Sequence, residues 1–202
     1  MVKAAALVQL RDGTLLDARP VEPEDRDLIR RGFERLSPES RYRRFLIPVP
    51  ELHDRMLTFL TEVDHRNHEA LLTLDAATGE VLAVARFVRL ESDPACAEVA
   101  VTVVDDWQRR GLGTALLDAL ADRAREESVT RFTGVALAEN RDVLVLFGKL
   151  GAVRVVGHGP GTVELAVDLP AERGVIPATE LVGKAPPPRP AAERPDQVKG
   201  QS

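Results

Sequence analysis

Apolar and polar positions along the chain change their period several times, and each change marks an element. Residues 15–21 read as a strand stopped by Pro20 and Pro23. From 25 to 36 the apolar residues Leu28, Ile29, Phe33 and Leu36 fall on one helical face. Ser37 followed by Pro38 is a cap and first-turn signal for a second helix running to Pro48. A third spans 52–60, with Leu52, Met56, Leu57, Phe59 and Leu60 apolar. Residues 69–74 and 80–90 are two strands joined by a polar loop closed at Gly79. The second begins almost uniformly apolar, as a strand covered on both faces does. A turn at Ser92-Asp-Pro leads to a β-branched strand over 99–104, and three strands in antiparallel succession are expected.

After a short turn the period returns to that of a helix. Leu112, Ala115, Leu116, Ala119 and Leu120 form a stripe that packs on the sheet, with Asp118, Asp122, Arg125 and Glu126 turned away from it. A strand over 129–137, a short helix within 138–151 ended by glycine, and strands over 152–156 and 162–167 follow, the last two separated by the glycine-rich link 157–161. Strand, helix, strand, helix, strand in this half implies a parallel crossover within a mixed sheet. The fold class is α/β, with six to seven strands and four or five helices.

The ends depart from this patterning. Residues 1–14 read as a loosely held leader finished by the turn Asp12-Gly13, which leaves 15–169 as the folded domain. Half of the 14 prolines lie between 170 and 195. A segment with so few large apolar residues does not offset its ordering entropy, so 170–202 is expected to be a flexible, proline-rich tail, with docking to a proline-binding module as the alternative.

Composition narrows the function. At 202 residues, 44% hydrophobic and 29% charged, the chain is an ordinary globular domain. A net charge of −5 argues against a general nucleic-acid binder. One cysteine excludes a disulfide framework and suits the reducing cytoplasm. No apolar run approaches the roughly 20 residues a membrane helix needs, and the first residues break off too early for a signal peptide.

The most informative stretch is the turn between the strand over 99–104 and the helix after it, Gln108-Arg-Arg-Gly-Leu-Gly-Thr114. Glycines at the start of a helix leave backbone amides free at the positive end of the helix dipole, where an anion is favoured. It is not the dinucleotide fingerprint, because Ala115 and Leu116 stand where the third glycine belongs, nor a Walker loop, because no Gly-Lys-Ser/Thr closes it. The motif Q-x-x-G-x-G resembles the cofactor loop of the GNAT superfamily of acyl-CoA-dependent N-acetyltransferases. The blocks Arg19-Pro-Val-Glu-Pro-Glu-Asp and Leu36-Ser-Pro-Glu-Ser-Arg-Tyr-Arg-Arg-Phe-Leu are similar to the catalytic domain of bacterial Pat-type protein lysine acetyltransferases, over about residues 16–168. The resemblance implies acetyl-CoA as cosubstrate, held by the loop Gln108, Arg109, Arg110, Gly111, Leu112, Gly113 and Thr114. Its pantetheine arm would lie beside Val103 and Val104, with Asn140 as a further pantetheine contact or as the cap of its own helix. A protein lysine is the implied acceptor, such as that of an acyl-CoA synthetase. A small amine, or a non-catalytic acyl-CoA sensor, remain alternatives.

Acyl transfer to an amine needs a base more than a nucleophile. A lysine of pKa about 10.4 is handicapped by about 4.6 kcal/mol at pH 7, which a placed carboxylate reduces. Glu98, near the start of the cofactor strand, is the candidate, and the resemblance supports that strand as the place for it. The plain alternative is a solvated strand-edge residue. Asp105 and Asp106 are runners-up. Where many GNAT enzymes carry a tyrosine acid this chain has Phe147, which has no proton to give. His65 and His68 read as loop residues rather than metal ligands, so no metal is expected. Cys96 lacks an activating partner. Arg41, Arg43 and Arg44 make a basic cluster that could face an acidic substrate surface, the CoA 3′-phosphate or solvent.

Overall fold

The computed structural model describes residues 6–10 and 12–171. The expected proline-rich tail from 172 onward lies outside the described residues. Eight strands form one mixed sheet in the order β1-β2-β3-β4-β5-β6-β8-β7. These are β1 (Ala6–Gln9), β2 (Leu15–Pro20), β3 (His68–Leu74), β4 (Val81–Leu90), β5 (Asp93–Val103), β6 (Arg131–Leu137), β7 (Val153–Gly159) and β8 (Thr162–Asp168). Five helices join them: α1 (Arg26–Glu34), α2 (Pro38–Phe45), α3 (Asp54–Thr61), α4 (Leu112–Glu126) and α5 (Arg141–Phe147). None of the described helices is long and apolar enough to cross a membrane.

The eighth strand comes from the supposed leader. Residues 6–9 pair antiparallel with β2, from Ala6 opposite Ala18 to Gln9 opposite Leu15, and Val8 and Leu10 are buried. The Asp12-Gly13 turn closes this hairpin: the Asp12 carboxylate accepts from the Thr14 amide at 2.9 Å, and Gly13 takes a φ of +85°. At the far edge, β7 continues through the glycines expected to be a link. Its register shifts between Val155 and Gly157, a bulge tolerated because β7 pairs on one side only.

The two Pat-like blocks turn out to be structural joints. Arg19 grips the Asp25 carboxylate with both Nη atoms at 2.7 and 2.6 Å, and Asp25 also accepts from the Glu22 amide at 2.8 Å. That bidentate pair fixes the short 3₁₀ turn Pro23–Asp25 that leads into α1. Ser37 caps α2 by accepting from the Ser40 amide at 3.2 Å. Helix α4 buries Leu112, Leu116, Leu117, Leu120 and Ala124 fully against β1, β3, β4 and β5. At about 25 cal/mol per Å² of apolar surface, each buried leucine is worth roughly 2 kcal/mol, so this helix anchors the sheet firmly.

The strands β3, β4 and β5 are antiparallel neighbours, as expected. The crossover through α4 makes β6 parallel to β5, but only from Cys96 to Glu98, opposite Arg131 to Thr133. Beyond that point residues 99–103 and 134–137 diverge without pairing.

Candidate active site

The divergence of β5 from β6 opens a cleft of about 550 Å³. Residues 98–103 of β5 form one wall, with β6 and α5 opposite, α2 above, and the loop before α4 at one end. The orientation of the β5 backbone follows from one hydrogen bond. The Val104 amide donates to Leu82 O of β4 at 2.9 Å. Peptide groups alternate along a strand, so the amides of Thr102 and Ala100 also face β4, while those of Val99, Val101 and Val103 face the gap. A row of edge amides with no acceptor among the described residues therefore runs along the cleft, as a pantetheine arm with its own amides requires.

At the end of that row the chain bends sharply. Arg109 takes a φ of +60° and Gly111 of +94°, with α4 starting at Leu112. A left-handed arginine is uncommon and costs free energy, which is typical of functional loops. The first intrahelical bond is from the Ala115 amide to Gly111 O at 3.0 Å. Among the described residues, the amides of Arg109 to Thr114 have no acceptor, and no acidic side chain occupies the first turn of α4. Free amides, helix dipole and absent carboxylate together suit a diphosphate.

Gly113 keeps α4 close to β5: a Cβ there would touch Val103 Cγ2 at 3.4 Å. The Gln108 side chain does not reach into the cleft as a ligand. Its Nε2 donates to Val103 O and to Ser40 Oγ, both at 3.1 Å. Asp105 completes this joint by accepting from the Ser37 amide at 2.9 Å, Ser37 Oγ at 2.9 Å and Ser40 Oγ at 2.8 Å. Against the opposing effect of burial, these bonds hold the Asp105 carboxyl below its usual range, so it is a poor base and a good tether.

Three of the residues assigned to the cosubstrate from sequence turn away. Val104 is 3% exposed, and its amide is already used by β4. The Arg110 guanidinium stacks over Trp107 at 4.0 Å and pairs with Asp12 at 3.2 Å, outside the cleft lining. The Leu112 side chain is fully buried in the core, which leaves only its amide for a ligand. Gln108, Arg109, Gly111, Gly113, Thr114, Val103 and Asn140 line the cleft. Asn140 makes no side-chain cap to α5, and among the described residues its amide group has no hydrogen-bond partner.

Glu98 lies where β5 and β6 part, at the opposite end of the row from the loop, and is exposed. With a rise of about 3.4 Å per residue, Val103 to Glu98 spans roughly 17 Å, about the reach of an extended pantetheine arm. Phe147 is 3% exposed, and its ring abuts β6: a Cβ on Gly134 would meet Cζ at 2.9 Å. A para hydroxyl would point into β6, so the ring acts as a wall.

The three clustered arginines of α2 have three fates. Arg41 donates to the carbonyls of Leu36, Pro50 and Glu34 at 3.1, 2.9 and 3.0 Å, and stacks over Phe33. Arg43 pairs with Glu39 at 2.6 Å. Arg44 lines the cleft with its guanidinium 4.9 Å from the Phe45 ring and makes no ion pair among the described residues. His65 meets the buried Glu69 at 2.7 Å, whereas His68 faces Arg86 and the Phe59 ring. Cys96 is buried, which pushes its thiol up.

Backbone groups of Val99 and Val101 are among the lining elements that sequence reasoning did not single out, and Arg44 was read there only as one member of a basic cluster. Gly134 inside a strand was the available signal for a close approach.

Comparison with known proteins agrees with this geometry. The family model described as Acetyltransferase (GNAT) family matches residues 30–152. The acetyltransferase Pat of Mycolicibacterium smegmatis is 39% identical over 175 residues, which is 87% of this chain and 52% of that protein. The chain thus spans about half the length of that relative. An acetyltransferase of Pseudomonas aeruginosa is 34% identical over 146 residues, 71% of this chain and 78% of its own. Among solved structures, the GNAT domain of S. lividans PAT superimposes with a TM-score of 0.76 at 31% identity, covering 82% of this chain and 97% of that domain. A cAMP-binding acyltransferase from Mycobacterium smegmatis gives 0.58 at 35% identity, over 83% of this chain and 48% of that one. With a matching family model over most of the folded domain and a splayed strand pair ending on free helix-start amides, this chain belongs to the acetyltransferase (GNAT) family, whose cosubstrate is acetyl-CoA.

Proposed function

We propose that this chain transfers an acetyl group from acetyl-CoA to the side-chain amine of a protein lysine, with Glu98 as general base. The single observation that carries the reading is the position of Glu98: at the vertex of the open strand pair, exposed, with no ion pair among the described residues. An exposed base suits an amine delivered on the surface of a folded partner better than a small amine, which an enclosed pocket would hold. The likeness to Pat-type proteins supports the same acceptor, and an acyl-CoA synthetase is the partner that likeness suggests. The thioester cosubstrate and the lone buried thiol suit the cytoplasm.

Bound acetyl-CoA supplies an activated acyl carbon. The amides of Arg109 to Thr114 would hold its diphosphate, and the gap-facing groups of Val99 and Val101, with Asn140, its arm. Glu98 would take the proton of the attacking amine, directly or through one water. The thiolate leaves without a protein acid. An ordinary thiol of pKa about 8.5 puts the thiolate only about 2 kcal/mol uphill at pH 7, against about 4.6 kcal/mol for the lysine, so the base matters more than the acid that Phe147 lacks. The test is turnover of acetyl-CoA against a bacterial lysate, with modified lysines read by mass spectrometry. Acetylation concentrated on a few folded proteins is expected. Free-polyamine acetylation much faster than any protein modification, or acetyl-CoA binding without CoA release, would overturn the reading.

A further inference from the structure

Behind the wall that α2 and β5 give the cleft lies a second, partly open chamber of about 60 Å³, lined by α1, α2, α3 and the strands β4 and β5. Arg44, Phe45, Ala100 and Thr102 line both spaces. Ala100 is two residues from Glu98 on the same face of β5, so this shared small residue sets the chamber beside the vertex where the thioester would end. The chamber therefore adjoins the cleft along Ala100 and Thr102, and reaches its acyl end at Ala100.

Its walls are aliphatic and aromatic apart from Thr102 and two guanidinium groups. Arg86 rises from β4 opposite Ala100, is 5% exposed, and donates to His68 Nε2 and Leu60 O, both at 3.1 Å. Arg44 comes down from α2. Among the described residues neither makes an ion pair. Burial, then the Arg44 charge, pushes Arg86 down to about 9, which leaves it protonated at neutral pH. His68 is held down to about 4, first by burial and then by Arg86, so it is a neutral acceptor. The carboxylate felt at Arg44 is that of Glu98, which lies outside the chamber in the open cleft. Buried cations persist when an anion compensates them. Here one buried guanidinium, Arg86, and one partly buried, Arg44, face one small space, and no carboxylate is bonded to either.

We propose that this chamber receives the tail of a short acyl group ending in a carboxylate, so that the chain takes dicarboxylic acyl-CoA thioesters of the succinyl type as well as acetyl-CoA. The methylenes would lie against Leu36, Phe45 and Leu52, and the carboxylate between Arg44 and Arg86. By the same measure of space one water needs roughly 15 Å³, so the chamber holds about four such groups, enough for a short tail and too few for a long one. The chemistry is unchanged: the acceptor nitrogen forms the C–N bond as the C–S bond breaks, Glu98 takes the amine proton, and the thiolate takes a proton from water. The inference rests on the cleft being the thioester site.

Calorimetry on the full chain with CoA, butyryl-CoA and succinyl-CoA separates the possibilities. Succinyl-CoA should bind at least tenfold more tightly than butyryl-CoA, which has a tail of similar length without the charge. Arg44→Met should reduce that ratio at least tenfold, and Arg44→Lys should retain part of it. Succinyl-lysine on an acceptor protein, read by mass spectrometry, is expected alongside. Equal affinities, tighter butyryl-CoA, or a ratio unmoved in Arg44→Met would remove the carboxylate tail while leaving the thioester site standing. Failure to bind any of the three would overturn that site and this inference together.

Discussion

The two halves of β5 are one strand in two environments. At Ala97 and Glu98 it is paired on both sides, to β4 and β6, with Cys96 paired to β6 alone, and Cys96 and Ala97 are buried. From Val99 to Val103 it keeps β4 but loses β6, and Ala100 to Val103 are half-buried. Apart from Glu98 and Thr102, the residues hardly differ in type: both halves are small or β-branched apolar residues. What differs is the neighbour, because Gly134 and Phe147 shape the opposite wall where pairing would otherwise continue. Hydrophobic pattern sets that a strand forms, and a few contacts from other elements decide whether its edge is closed.

The largest effect expected along this comparison is at the junction itself. Glu98→Gln should lower turnover on a protein acceptor by about a hundredfold or more, the range of a lost general base, with acetyl-CoA affinity within twofold. Turnover unchanged in steady-state assays would remove Glu98 from the chemistry. Next is the far end of the open half. Gly111→Val forces a β-branched residue to a φ of +94°, and should weaken CoA binding at least tenfold by calorimetry and cost about 1–3 kcal/mol of stability.

A smaller contrast sets two adjacent arginines against each other. Arg109→Ala should weaken CoA binding severalfold, less so at high salt, because its charge faces the cleft. Arg110→Ala should change affinity less than twofold and lower thermal stability slightly, because its partners are Asp12 and Trp107. Equal losses of affinity would mean the loop is misread. The smallest effect lies under the sheet. His68 is held near 4 in the fold, so the unfolded chain takes up its proton first. Its contribution is complete above about 6.5 and is lost as pH falls toward 4. Asp64, held at about 2 by the amides of His68 and Arg66 against the opposing effect of burial, keeps its charge through that window. The melting temperature should therefore drop between pH 7 and 5, and less so in His68→Gln.

The period of apolar residues disclosed the helices, the antiparallel succession β3-β4-β5 and the crossover, because these are local or near-local decisions. Gly111 and Gly113 made the strand–turn–helix legible too, since glycines between a strand and a helix leave little other geometry. The first strand was hidden: Ala6 to Leu10 looks like leader sequence until β2 is there to pair with it. Side-chain destinations were hidden as well. Arg109 and Arg110 are neighbours in the motif, and the left-handed turn at Arg109 sends them to different places. Arg41, Arg43 and Arg44 read as one basic cluster, yet a carbonyl cage, an ion pair and a cleft-lining guanidinium without an ion pair among the described residues are what the packing makes of them.

The bare edge of β5 also bears on how the empty molecule behaves on the bench. Peptide groups proposed to receive a thioester arm are equally ready for a stray extended segment, from a proteolysed fragment or a second molecule in a concentrated sample. Occupancy protects: at a ligand concentration a hundred times its dissociation constant, mass action adds about 2.7 kcal/mol to the folded state. Preparations kept with CoA should melt several degrees higher and resist precipitation longer than those without it.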